Sequence, residues 1–131
     1  MSHWTKVTTK IKDYSTLKKA AEKMGLEITD QETYTSVYAG SIPCVGVIHQ
    51  QGQELNHRNG AAIVKEGDGY QIIMDNYGNP LTGIAGENCS DLLGNYATSV
   101  VQDEMMRAGF SEVQNEVKEE NGDRVLIFQG M

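Results

Sequence analysis

The sequence predicts an α+β domain: a mainly antiparallel sheet with two helices packed on one of its faces. Three observations predict it. Two segments carry apolar residues at helical spacing, each in a single stripe, so each helix can cover only one side of a sheet. The remaining segments are short, alternating or β-branched, and are broken by glycine and polar turns. The chain has 131 residues, so residues 1–131 make one domain with one core.

Trp4 to Ile11 alternates, with Thr5, Val7, Thr9 and Ile11 on one face and Lys6, Thr8 and Lys10 on the other. That pattern reads as a strand, so the opening residues are expected to belong to the sheet. Trp4 falls on the lysine side, as a cover or an exposed anchor. Asp13 is placed to cap a helix on which Tyr14, Leu17, Ala21 and Met24 recur, and Gly25 stops it. Leu26 to Thr29 is a short strand. Thr33 to Gly40 and Cys44 to Gln50 are β in character, separated by a break at Gly40, Ser41 and Pro43. Gln51 to Gly60 is polar and reads as a loop. Ala61 to Glu66 and Tyr70 to Asp75 form a hairpin about Gly67, Asp68 and Gly69.

After a connection from Asn79 to Cys89, the second helix begins with Ser90 or Asn88 as its cap. Its stripe is Leu93, Tyr96, Ala97, Val100, Val101 and Met105, widened by Leu92 and Met106, and Gly109 ends it. Phe110 to Glu119, a turn at Asn121 and Gly122, and Val125 to Phe128 make a closing hairpin. The order strand-helix-strand … helix-strand-strand is ferredoxin-like in outline. With both helices on one face, the other face is free for an encounter unless the middle hairpin or the Asn79 to Cys89 connection covers it. The last strand adds to that surface, because Leu126 and Phe128 make its second side apolar.

Charge and chemistry narrow the function. Net charge is −7, from 18 acidic and 11 basic residues. The lysines from Lys6 to Lys23 form one basic stripe, read as a solvated face, so nucleic acid and anionic membrane surfaces are disfavoured partners. The absence of an apolar leader or a membrane-length run predicts a cytoplasmic protein. Cys44 and Cys89 belong to no Cys-x-x-Cys pair. Cys44, His49 and His57 are too widely spaced for a recognisable metal motif and read as a small thiol and two loop-edge histidines. Neither cysteine has a nucleophile signature, and Glu116, Glu119, Glu120 and Asp123 read as solvated charges around a turn. No catalytic residue, metal or cofactor is predicted. The aromatic residues Trp4, Tyr70, Tyr77 and Tyr96, with His3 and Asp75 beside them, are the remaining candidates. Tyr96 lies on the helix stripe and is expected in the core.

The segments "MSHWTKVTTKIKD", "LKKAAEKMGLE", "GDGYQIIMDNYG", "GNYATSVVQDEMMRAGF" and "EVKEENGDRVLIF" resemble, in order, a family of small proteins of cyanobacteria, algal plastids and phages that infect cyanobacteria. This is a hypothetical plastid reading-frame family built on a domain of unknown function. Its members begin Met-Ser-His-aromatic, carry a Tyr-x-x-x-x-Asp-aromatic motif, matched here by Tyr70 and Asp75, and place a Tyr-Ala pair, here Tyr96 and Ala97, early in the second helix. Two features depart from that pattern: Asn76 and Tyr77 stand where a tryptophan is common, and "FQGM" replaces a basic-aromatic ending. The resemblance implies a cyanobacterial, plastid-stromal or infected-host setting and supplies no activity.

Two functions are therefore expected. The first is a non-catalytic accessory module, host-directed if phage-encoded, that binds a protein partner or a second copy of itself through a sheet face carrying aromatics. The alternative is a binder of a small ligand or nucleotide, or a small enzyme, with a pocket between the second helix and the sheet where His3, Asp75 and Tyr77 converge. The candidate binding residues are His3, Trp4, Asp75, Tyr77, Tyr96, Leu126 and Phe128.

Overall fold

The computed structural model describes the backbone of residues 5–6, 10–36, 40–118 and 124–130, and the side chains of residues 10–36 and 40–109. It is α+β. The main sheet is antiparallel throughout. Its longer strands are β2 (Leu26–Asp30), β5 (Gly46–Gln50), β6 (Ala61–Glu66) and β7 (Gly69–Met74), and β1 (Thr5–Lys6) adds a short edge in the order β1-β7-β6-β5-β2. Two further ladders stand apart: β3 (Thr33–Ser36) with β4 (Gly40–Pro43), and β8 (Phe110–Lys118) with β9 (Arg124–Gly130). The helices are α1 (Tyr14–Lys23), a single turn α2 (Thr82–Ala85) and α3 (Ser90–Arg107).

The start of α1 follows from its flanking residues. The Asp13 carboxylate accepts from the Thr16 N–H at 3.1 Å and the Ser15 hydroxyl at 2.8 Å. Gly25 adopts φ +76° just past the Met24 cap, a conformation that costs glycine no Cβ clash. Two N–H groups ahead of the helix would still lack partners. The Tyr96 hydroxyl, from α3, accepts both: Lys12 N–H at 3.0 Å and Asp13 N–H at 3.1 Å. One phenol thereby fixes α1 against α3.

Sheet register sorts the side chains into two faces. Leu26, Ile48, Ala61, Ile63, Ile72 and Met74 face the helices and are buried with Leu17, Ala20 and Ala21 of α1 and Leu92, Leu93 and Tyr96 of α3. The opposite face carries Glu27, Thr29, Val47, His49, Ala62, Val64, Gln71 and Ile73. Its centre is not free. Tyr34, Ile42, Cys44 and Leu55 close over Val47 and Ala62, both fully buried. The β3–β4 hairpin and the loop before β6 therefore cover the part of the sheet that sequence reasoning left open for a partner.

Other differences have local causes. Gly40–Pro43, read as a break, is strand β4; Pro43 is tolerated because it ends a two-stranded edge ladder. In α3 the buried seam is Leu92, Leu93, Tyr96 and Ser99, while Ala97, Val101 and Met106 are exposed. The helix carries apolar residues around more than one face, and the Tyr96 anchor decides which of them turns inward. Neither Asn88 nor Ser90 caps α3: its N-cap position is Cys89 at φ +59°, without a side-chain bond. Asn88 is instead engaged with Asn76, its N–H and its Oδ1 both bonded to that amide side chain. The strand expected from Trp4 to Ile11 is present at Thr5–Lys6 and as an isolated bridge from Ile11 to Tyr70; Trp4 and residues 7–9 lie outside the described residues. The closing hairpin pairs with no strand of the main sheet among the described residues, and both its strands contact α3. Its turn at Asn121 and Gly122 lies outside them.

Two outcomes test this account. Tyr96→Phe keeps the ring but strands two N–H groups, and should cost about 1–2 kcal/mol in a urea melt; an unchanged midpoint would refute the anchor. The Thr16 N–H, then the Ser15 hydroxyl, hold the Asp13 carboxyl below its ordinary 3.8. A lowered folded value stabilises above the unfolded value and is lost as pH falls through the folded one. Asp13→Ala should therefore cost about 1 kcal/mol at neutral pH, with the deficit shrinking in acid, whereas Asp13→Asn should retain the cap at every pH.

Candidate functional site

Strand β7 delivers Asp75 to the face away from the helices, and the chain then turns sharply through residues 75–79. Local bonds dictate the turn. The Asp75 Oδ1 accepts the Tyr77 N–H at 3.1 Å, an Asx-type closure, and Gly78 adopts φ +64°. Asn79, 5% exposed, fixes the far end: its Nδ2 donates to the Asp75 and Gly60 carbonyls, each at 3.1 Å, and its Oδ1 accepts the Leu81 N–H at 2.9 Å.

The opposing wall comes from the loop before β6. The Tyr34 hydroxyl donates to the Asn56 carbonyl at 2.8 Å and accepts the Gly60 N–H at 3.0 Å. Burial raises that phenol's pKa. The Arg58 N–H bonds Asn56 Oδ1 at 2.8 Å, and Asn59 spans back to the Glu54 carbonyl. Gly60 has no room for a side chain: a Cβ there would stand 2.8 Å from Val47 and 2.9 Å from both Leu55 and Tyr34.

Between the walls is a cavity of about 130 Å³. Asp75, 6% exposed, and Ser36 lie among its buried lining, their side chains 3.5 Å apart. His57, Arg58 and the Tyr77 ring, 66% exposed, supply its outer lining. Among the described residues, the lining thus holds the acid Asp75 and the basic side chains of His57 and Arg58, an arrangement that can bind and orient a small polar molecule.

The structure brings together two predicted residues, Asp75 and Tyr77, and on the side of the sheet away from α3. Tyr96 is elsewhere, 6% exposed in the core, with its hydroxyl spent on α1. His3 and Trp4 lie outside the described residues; Leu126 and Phe128 lie in β9, with side chains outside them. Ser36, Arg58 and Asn79 were not singled out by the sequence, and His57 was read only as a loop-edge residue. The signal for His57, Arg58 and Asn79 was the pair of Asn- and Gly-rich stretches "NHRNG" and "NYGNP", which mark two tight turns but not their meeting, and Ser36, inside a strand pattern, carried none. A larger hollow of about 490 Å³ lies between Lys10–Asp13 and α3, lined by charges of both signs, including Lys12, Arg107 and Glu104.

The other chemical candidates are dispersed. His49 is 4% exposed, with Nε2 2.7 Å from the Thr29 hydroxyl and Nδ1 3.2 Å from the Gln50 carbonyl and 3.5 Å from Glu27. Cys44 donates to the Gln31 carbonyl at 3.3 Å. Among the described residues no three His, Cys, Asp or Glu side chains could hold a metal ion, and no helix is long and apolar enough to cross a membrane. Glu116 is in β8, its side chain undescribed, and Glu119, Glu120 and Asp123 lie outside the described residues. Burial pushes the Cys89 thiol up to about 12 and raises Cys44 as well. In the native protein a thiol reagent at mildly alkaline pH should therefore label Cys44 slowly and Cys89 not at all, both reacting in guanidinium chloride; rapid native labelling of two thiols would contradict the packing.

No family model matches the chain, and neither a curated protein nor a solved structure matches it.

Proposed function

We propose that the protein is a non-catalytic module that binds a small polar ligand in the cavity between the 75–79 turn and the loop before β6. The observation that carries this reading is Asp75, a carboxylate 6% exposed on the wall of a cavity, with neutral donors alone bonded to it among the described residues. Burying such a group is costly unless something compensates it. Binding rather than catalysis is supported by the hydroxyls around it. Tyr34 both donates and accepts, and Ser36 is turned toward Asp75. At about 130 Å³ the cavity is below the roughly 300–1,000 Å³ of sites for drug-sized ligands, which favours a compact metabolite over a nucleotide.

The exposed Tyr77 ring favours a second reading, in which a partner protein presents the polar group and packs on the rim. A partner spread over the bare sheet has less to rest on, because Val47 and Ala62 are covered.

A thermal-shift and amide-shift screen tests the first reading. Amines, amino acids, carboxylates, sugars and short peptides would be titrated separately. A ligand at about 100 times its Kd should add about 2.7 kcal/mol of stability and move the amides of residues 75–79. A flat response to every class removes the proposal, and a response to peptides alone favours the partner-protein reading.

A further inference from the structure

We propose that the ligand is a compact zwitterion of the amino-acid class, with its ammonium on Asp75 and its carboxylate toward Arg58. The inference rests on the ligand-binding reading above and specifies the ligand.

Asp75 sets the inner end. Its Oδ1 has the Tyr77 N–H at 3.1 Å, and its Oδ2 has the Ser36 hydroxyl only at 3.5 Å, the limit of a hydrogen bond. Each carboxylate oxygen can accept two bonds, so Oδ2 retains most of its capacity. The ion pairs among the described residues join Lys12 to Asp68, Lys18 to Asp30 and His49 to Glu27, and none reaches Asp75. A carboxylate more than nine-tenths buried and bonded only to neutral donors has an unmet demand for positive charge. An ammonium group supplies both the charge and N–H donors for Oδ2.

The mouth sets the outer end. Among the described residues of the lining, Arg58 and His57 are basic and Asp75 is acidic. A simple amine would satisfy Asp75 while facing the guanidinium. A simple carboxylate would meet Arg58 and be repelled from the interior by Asp75. A zwitterion, amine inward and carboxylate outward, matches both signs in one molecule. Arginine's planar fork suits a carboxylate in particular. The volume of about 130 Å³ limits the ligand to a short side chain.

Calorimetry and amide-shift titration of the whole chain test this with glycine, alanine and serine as zwitterions, ethylamine as the cation alone, acetate as the anion alone, and acetamide as the neutral control. A zwitterion should bind at least tenfold more tightly than ethylamine, acetate or acetamide. Asp75→Asn should weaken it at least tenfold, with folding checked by circular dichroism. Arg58→Gln, at an exposed position, keeps the test decisive if the first variant fails to fold: it should reduce the preference for glycine over ethylamine severalfold. Acetate or acetamide binding as well as glycine, or variants that leave the preference unchanged, would overturn the inference while the cavity remains a ligand site. Silence of the 75–79 amides toward every probe class would overturn the ligand-binding reading as well.

Discussion

The seat of Gly60 on Val47 is the constraint on which the rest of the second face depends. Because Gly60 has no Cβ, the loop before β6 can descend onto the sheet between Tyr34 and Leu55. Its N–H then reaches the Tyr34 hydroxyl and its carbonyl takes the Asn79 amide. One residue thus joins the β3–β4 hairpin, the entry to β6 and the turn after β7. A side chain there would meet three neighbours under 3.0 Å and force these pieces apart. Gly60 also lines the cavity, so the same close approach sets part of its wall.

The two faces of the sheet are closed by different physics. Toward the helices the contact is apolar and continuous, from Leu26 through Ile48 and Ile63 to Met74, and its stability scales with buried area. On the other face the apolar patch is small, Val47, Ala62 and Tyr34 with Leu55 and Ile42 beside them, and side-chain-to-backbone bonds complete the job. The same device appears on both sides. Tyr96 and Tyr34 each bring a ring into a core and use the hydroxyl to satisfy two backbone groups distant in sequence. Such a phenol specifies one arrangement, because a shifted helix or loop leaves buried or part-buried backbone groups without partners.

What was legible in the sequence follows from the range of the interactions. The Asp13 cap, the Gly25 stop, strand β2 and the β6–β7 hairpin depend on neighbours within a few residues, and they stand where the pattern put them. The seam of α3 stands there only in part: Leu92, Leu93 and Tyr96 are buried and Val100 packs on the core, but Ala97, Val101 and Met106 are exposed, since the apolar residues wrap too far round the helix to choose a face. That choice is made by Tyr96 meeting Lys12 and Asp13, a contact 83 and 84 residues long. Strand β4 was hidden because Gly40 and Pro43 also signal a break, and only its pairing with β3 makes it a strand. At the site, Asp75 and Tyr77 share one turn and were visible together. His57, Arg58 and Ser36 come from loops and strands elsewhere in the chain and meet them only through the fold.

A carboxylate at Asp75 conflicts with the local logic of its surroundings. The position ends a strand and closes an Asx turn, and an asparagine would accept the Tyr77 N–H just as well. Asparagine would also avoid burying a charge, which favours it on stability alone. Aspartate in its place is therefore not explained by the turn. Residues that break a local rule without a structural return concentrate where a protein binds or reacts. The surrounding bonds point the same way. Asn79, Tyr34 and Asn56 each bond backbone groups, and among the described residues no ion pair reaches Asp75. On the proposed ligand-binding reading, a group from outside the chain would supply the missing positive charge, and the basic side chains at the mouth would set what else that group must carry.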